Sequence, residues 1–229
     1  MTEATAPPPE WRSRWFQRAA RPLLAGMYDT HVAHRERMPR SGPVIAVVNH
    51  TGFLDGPFTF GFLPRPGHFL VLDKTFTGWM GAILAGSGQI PLSQAHGDRR
   101  ALGQGLEVLR RDGLLGIFPE GGRGRGDLSA AGKGAAWLAL QSGAPVVPVA
   151  CLGTRRTGEL AASWPRLRSR LVLDLGEPFT IAPIAGVPGR VRLERAAEEV
   201  RTRHAAHVGE AADRHGIPLP TDIPPDLLE

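Results

Sequence analysis

The chain has 229 residues, a net charge of +5 and an isoelectric point near 10.5. Its 42% hydrophobic and 21% charged content suits one globular domain with a real core and excludes a disordered chain. A single cysteine, Cys151, excludes an internal disulfide and a multi-cysteine metal centre and fits a reducing compartment.

In chain order, residues 1–9 (MTEATAPPP) read as a disordered leader without the apolar stretch of a signal peptide. Residues 10–34 read as a basic amphipathic element whose helix covers 10–30. Trp11, Trp15, Phe16, Leu23 and Leu24 interleave with Arg12, Arg14, Arg18 and Arg21, and Pro22 is expected to kink or divide the helix. Such a helix either lies at a membrane interface or packs on its own domain with the arginines outward. From residue 43 onward, short apolar runs bounded by Gly, Pro or charge predict buried strands at 43–49, 68–73, 88–92, 114–119, 145–150 and 170–176. Helical patterns fill 75–86, 98–112 and 132–143, and a last amphipathic helix runs over about 189–211. The alternation predicts a single α/β domain over 35–212, with a mixed, mostly parallel sheet flanked by helices. Residues 213–229 read as a Pro-rich, acidic, irregular tail. The most apolar stretch, Phe76 to Ile90, falls short of the ~20 residues of a membrane span and is broken by Gly78, Gly81, Gly86 and Gly88.

Two strand ends carry the chemistry. The first, Asn49-His50-Thr51-Gly52-Phe53-Leu54-Asp55, contains the only asparagine of the chain. Neither a helix nor a strand brings His50 and Asp55 to one face, since five helical residues rotate roughly 140° past a full turn and odd strand spacing puts them on opposite faces. They meet only if the chain turns, which Gly52 and Gly56-Pro57 permit. A carboxylate on one imidazole nitrogen fixes the tautomer and leaves the other nitrogen as a base. No G-x-S-x-G supplies a nucleophile, so the attacking hydroxyl would belong to the substrate. The second strand end, Ile117 to Asp127 (IFPEGGRGRGD), joins an acid to four glycines within six residues and to Arg123 and Arg125. Its backbone amides and guanidinium groups suit an anion; the alternative is a solvated loop. The following GDLSAAGKG fails the P-loop pattern, with five residues between Gly126 and Gly132 and Gly134 where Ser or Thr is required. Both segments fall at carboxyl ends of strands, where open α/β sheets bind ligands. Cys151 reads as a buried structural thiol. The histidine pairs His31/His34 and His204/His207 lack a third ligand, so no metal site is expected.

Together these segments resemble the glycerolipid and lysophospholipid acyltransferase family, of the 1-acylglycerol-3-phosphate acyltransferase type. Asn49 to Asp55 matches its NHxxxxD motif. Phe118-Pro119-Glu120-Gly121-Gly122-Arg123 is similar to FPEGTRS, with Gly122 and Gly124 where Thr and Ser are usual. Val146-Val147-Pro148-Val149-Ala150 resembles its last motif, and Lys74 and Gly88-Gln89-Ile90-Pro91 match the approach to its second. The resemblance covers roughly residues 35 to 180. It implies that His50 is the general base, oriented by Asp55, and that Lys74, Glu120, Gly121, Gly122 and Arg123 bind a phosphorylated acceptor. Asn49, Arg99, Arg100, Arg125 and Lys133 are further candidates. The second motif departs from the family, with Ser93 and Gln94 where an arginine usually holds the acceptor phosphate. This leaves a non-phosphorylated acceptor open. The resemblance further implies acyl-CoA or acyl carrier protein as co-substrate, no cofactor, a lysophospholipid acceptor, no nucleic acid, and a cytoplasmic protein peripherally attached to an anionic membrane surface. The oligomeric state is left open. A phosphate-binding phosphotransferase and a non-catalytic lipid-binding protein are the competing readings.

Overall fold

The computed structural model describes residues 6–93, 98–129, 131–182 and 186–227. Seven strands form one sheet in the order β1-β7-β6-β2-β5-β3-β4. They are β1 (Asp29–Ala33), β2 (Val44–Val48), β3 (Gly67–Leu72), β4 (Ile90–Leu92), β5 (Leu114–Ile117), β6 (Val146–Leu152) and β7 (Arg170–Leu175). All pairings are parallel except β6 with β7. β1 and β7 therefore run opposite to the other five. The helices are α1 (Glu10–Met27), α2 (Asp55–Phe62), α3 (Gly78–Gly86), α4 (Arg99–Arg110), α5 (Gly134–Ser142) and α6 (Gly189–His215).

The predicted α/β domain with a mixed, mostly parallel sheet is the observed fold. β2 is buried along its whole length, which explains its unbroken apolar run. Its side chains alternate between two cores. Val44, Ala46 and Val48 face Leu24 of α1 and Phe58 and Leu63 at α2, whereas Ile45 and Val47 face Val108, Leu138 and Val200 of α4, α5 and α6. A third cluster joins Leu152 and Val172 to Val208 and Ala211 of α6.

Three elements differ from the sequence reading. Residues 29–33 form a strand, so the element read as 10–34 divides after Met27. Among the described residues this strand has only β7 as a neighbour and is partly exposed, so it lacks the apolar run that marked the others. Pro22 sits inside a continuous α1, held where Gln17 and Arg21 donate to the carbonyls of Phe60, Gly61 and Leu63 at the end of α2. α2 itself went unseen, because Gly56, Pro57 and Gly61 disfavour helix; Pro57 is accommodated in the first turn, where its missing N–H is no loss.

Candidate active site

The carboxyl ends of four adjacent strands, β6, β2, β5 and β3, carry the segments singled out in the sequence. β2 ends at Asn49, whose buried amide donates to the Cys151 carbonyl at 3.1 Å and accepts from the Cys151 amide at 2.7 Å. Asn49 thus extends the β2–β6 ladder by a side chain. Beyond it the chain turns sharply. A Cβ on Gly52 would lie 3.1 Å from the Cβ of Arg155 and 3.3 Å from the Thr154 carbonyl, so glycine lets the turn lie against the end of β6.

The turn brings His50 and Asp55 together. His50 Nδ1 lies 2.8 Å from Asp55 Oδ2, which also accepts from the backbone amides of Thr51 at 2.6 Å and Gly52 at 2.8 Å. The other oxygen, Oδ1, accepts from the hydroxyl of Thr154, which in turn lies 3.0 Å from the Thr51 hydroxyl. Burial pushes the Asp55 carboxyl up, but the His50 contact and the Thr154 and Gly52 donors outweigh it and leave Asp55 below its ordinary range. An ionised Asp55 holds a proton on His50 Nδ1, which makes Nε2 the acceptor nitrogen in the neutral ring. Nε2 has no protein partner among the described residues, and the ring stacks on Phe118 at 4.4 Å. Cys151 is buried with its Sγ 3.5 Å from Asp55 Oδ1. Burial, with Asp55 beside it, pushes its thiol well up, which suits packing and not nucleophilic attack.

The Gly-rich loop is tied to the same turn. Glu120 accepts from the amides of His50 at 3.0 Å and Leu128 at 2.9 Å, and the amide of Gly124 donates to the His50 carbonyl at 2.9 Å. Both backbone polar groups of His50 are therefore held by this loop. Burial raises the Glu120 carboxyl to about 7 despite these two donors. Gly126, at φ +73°, brings its backbone against Thr51 and Asn49.

His50, Gly121, Gly122 and Arg123 line a cavity of about 420 Å³, a size typical of ligand sites. Its walls are apolar: Phe16 of α1, Phe53, Phe60 of α2, Phe69 and Leu70 of β3, and Met80 and Leu84 of α3, with Lys74 in the 3-10 turn that follows β3. Arg123 lies 5.6 Å from the Phe53 ring and has no carboxylate within ion-pair distance among the described residues. Burial, the largest influence, lowers its guanidinium from the ordinary value.

The remaining candidates stand elsewhere. Glu120 turns its carboxylate onto backbone amides and does not line the cavity, because that buried oxygen pair is what closes the loop. Arg99 and Arg100 begin α4, exposed, behind an Asp98 cap. Arg125 pairs with Asp127 at 2.9 Å and Lys133 with Glu194 at 3.5 Å, both at the surface. Gln94 lies outside the described residues. Of the histidine pairs, His34 contacts the Asp174 carboxylate at 2.8 Å, and His207 and His204 contact backbone carbonyls. Residues 213–229 are expected to be irregular; α6 instead continues to His215, Pro225–Leu227 form a short 3-10 turn, and Leu227 reaches the cavity. Sequence reasoning missed Thr154 and Arg155, although they follow a predicted strand at the same sheet edge as the two motifs.

Comparison with known proteins agrees with this geometry. The family model described as Acyltransferase matches residues 29–152. The chain is 26% identical over 174 residues to the 1-acyl-sn-glycerol-3-phosphate acyltransferase of Bacillus subtilis (strain 168), covering 75% of this chain and 84% of that one. It is 31% identical over 140 residues to the chloroplastic 1-acyl-sn-glycerol-3-phosphate acyltransferase BAT2 of Brassica napus, covering 56% of this chain and only 38% of the relative. In fold it is similar to the crystal structure of the 1-acyl-sn-glycerophosphate acyltransferase PlsC from Thermotoga maritima, with a TM-score of 0.58 at 24% identity over 86% of this chain and 78% of that one. Since the family model spans more than half of the sequence and takes in both the His50–Asp55 turn and the Gly-rich loop, the chain belongs to the Acyltransferase family and is an O-acyltransferase.

Proposed function

We propose that this enzyme moves a fatty acyl group from an acyl thioester, on coenzyme A or acyl carrier protein, to the free hydroxyl of 1-acylglycerol 3-phosphate in phospholipid biosynthesis. The observation that carries the reading is one apolar cavity bordered by His50, whose Nδ1 is held by Asp55 and whose Nε2 has no hydrogen-bond partner among the described residues, and by the Arg123 guanidinium, which has no carboxylate within ion-pair distance among them. The cavity suits an acyl chain. Arg123, backed by the Gly121 and Gly122 backbone and by Lys74, suits the phosphate of the acceptor. His50 Nε2 takes the proton of the acceptor hydroxyl as its oxygen attacks the thioester carbonyl. The tetrahedral intermediate collapses with cleavage of the C–S bond, and the imidazolium returns the proton to the leaving thiolate. Asp55 stabilises the imidazolium between these steps. The names of the relatives support lysophosphatidic acid as the acceptor.

Membrane attachment is part of the proposal. No helix among the described residues is long and apolar enough to cross a membrane. α1 packs Leu24 and Phe16 inward but leaves Trp11 and Trp15 largely exposed beside Arg12, Arg14 and Arg18. Each arginine near an anionic leaflet contributes about 1 kcal/mol, and the indoles add apolar burial. The protein is accordingly a peripheral one on the cytoplasmic leaflet. Trp11→Ala with Trp15→Ala should weaken sedimentation with anionic vesicles; unchanged binding would reject α1 as the contact.

The test of the reaction is thiol release from a long-chain acyl-CoA, and from acyl carrier protein, offered with lysophosphatidic acid, glycerol 3-phosphate or a neutral lysolipid. Turnover with lysophosphatidic acid that His50→Ala abolishes is expected. Turnover with the neutral lysolipid alone would keep the chemistry and overturn the acceptor.

A further inference from the structure

Arg155 is an arginine with a fully buried side chain; besides the Arg156 and Glu159 carbonyls of its own loop, its guanidinium reaches two separate parts of the site. It follows β6 and packs beneath Gly52 of the His50–Asp55 turn. Its Nη2 donates to the carbonyl of Gly124 at 3.3 Å, beside Arg123 in the Gly-rich loop, and the amide of that same Gly124 donates to His50. On its other side it is held by the segment that follows α6. Nη1 lies 3.1 Å from Asp222 Oδ1, and Nη2 donates to the Asp222 carbonyl at 2.8 Å.

That segment is fastened along its length. The amide of Thr221 donates to the Thr157 hydroxyl at 3.1 Å, the second Asp222 oxygen accepts from Gly158 at 3.0 Å, and Asp226 accepts from Ala161 at 2.8 Å. Leu219 lies near Gly126, and Leu227 borders the cavity with Arg123. A Pro-rich stretch suits this role, since prolines 218, 220, 224 and 225 reduce the freedom lost on ordering.

We infer that residues 217–227 are a clasp on the active site, in which Asp222 fixes Arg155 and Arg155 fixes Gly124, so that Arg123 is held where the acceptor anion binds. Asp222 and Arg155 are positioning residues. The inference rests on the reading that Arg123 receives the acceptor phosphate.

Three variants of the full chain separate the possibilities, each assayed by thiol release with long-chain acyl-CoA and lysophosphatidic acid and each checked for folding by circular dichroism and melting. Arg123→Gln tests the underlying reading and should raise the acceptor KM. Asp222→Asn removes the charge but keeps the shape. It should raise the KM for lysophosphatidic acid by about tenfold while kcat and the KM for acyl-CoA change by less than about twofold. Asp222→Glu, which restores a carboxylate, should recover part of the loss. An acceptor KM that stays put in Asp222→Asn while Arg123→Gln raises it overturns the clasp alone. No effect in either overturns the phosphate site and the clasp together. A proportional loss in both substrates with a lower melting point would reduce Asp222 to a stabilising role and also overturn it. If Asp222→Asn fails to fold, hydrogen exchange of the unaltered protein decides. Lysophosphatidic acid should protect residues 217–227 together with 121–126, and protection of the loop alone would refute the clasp.

Discussion

Thr154→Val asks how much the buried carboxylate contributes to the reaction. Valine nearly copies the shape of threonine but removes the hydroxyl that donates to Asp55 Oδ1. That oxygen then keeps only the Thr51 hydroxyl and the Cys151 thiol, each at 3.5 Å. A hydrogen bond to a charged group is worth about 1.5–3 kcal/mol. Its loss moves the Asp55 carboxyl upward from its lowered position. The depressed carboxyl stabilises the native state above the ordinary aspartate range and loses that contribution as the pH falls through its folded value. In Thr154→Val the contribution is smaller and its loss is complete at a higher pH, because the folded value lies higher. Asp55 meanwhile loses the donor that fixes its carboxylate beside the imidazole, so kcat should fall by about tenfold. Thiol release across pH, with thermal melts, checks this. Thr154→Ser, which keeps the hydroxyl, should retain most of the activity. A Thr154→Val enzyme within about twofold of the parent, or a serine variant as impaired as the valine one, would refute the reasoning.

Two further expectations concern the Gly-rich loop. The Glu120 carboxyl is raised to about 7 in the folded protein, so it lends stability below its unfolded value and loses it as the pH rises through neutrality. The difference amounts to about 3 kcal/mol. Buried His204, lowered to about 3, acts in the opposite sense below its ordinary value, so the Glu120 contribution is read as the difference between parent and Glu120→Gln in denaturant titrations across pH. Parallel stability curves for the two proteins would exclude it. At Gly126, alanine would adopt the left-handed region at a cost of about 1–2 kcal/mol. Its Cβ would also fall 2.5 Å from Thr51 Cγ2 and 2.9 Å from Asn49 Nδ2. Gly124→Ala meets nothing within 4 Å and serves as the control. Melts and turnover should show the first variant clearly impaired and the second within about 0.5 kcal/mol of the parent; equal behaviour would mean that the close approach is not needed.

What could be read in the sequence follows from how local each signal is. Runs such as Val44 to Val48 are buried on both faces, so apolarity alone marks them. The edge strand Asp29–Ala33 is made by its neighbour β7, and nothing in DTHVA announces it. α2 forms against its own glycines and proline because Phe58 and Leu63 are buried under α1 and the sheet. In the site, the His50–Asp55 meeting was legible because Gly52 allowed a turn and the spacing required one. The partners that complete it were not. Thr154 lies about a hundred residues away in sequence and reaches Asp55 only because β6 and β2 are adjacent. Arg155 is hidden among many surface arginines, and burial alone distinguishes it. Glu120 was assigned to the acceptor by motif, whereas its position in the fold makes it a tie between backbone segments.

The side-chain rung that Asn49 adds beyond Val48 and Val149 acts as an alignment mark. His50 is the next residue on one strand and Thr154 the third after Cys151 on the other, so this rung carries the β2–β6 register out to the reacting imidazole and the support of its carboxylate. A slip of one residue between β2 and β6 would displace one against the other by about 3.3 Å and turn every side chain to the opposite face. The Asn49 amide offers a donor and an acceptor to the same residue, whereas an ionised aspartate here would set its charge against the Cys151 carbonyl. Spontaneous deamidation of this one asparagine would therefore loosen the strand ends beside the site while leaving His50 and Asp55 chemically intact.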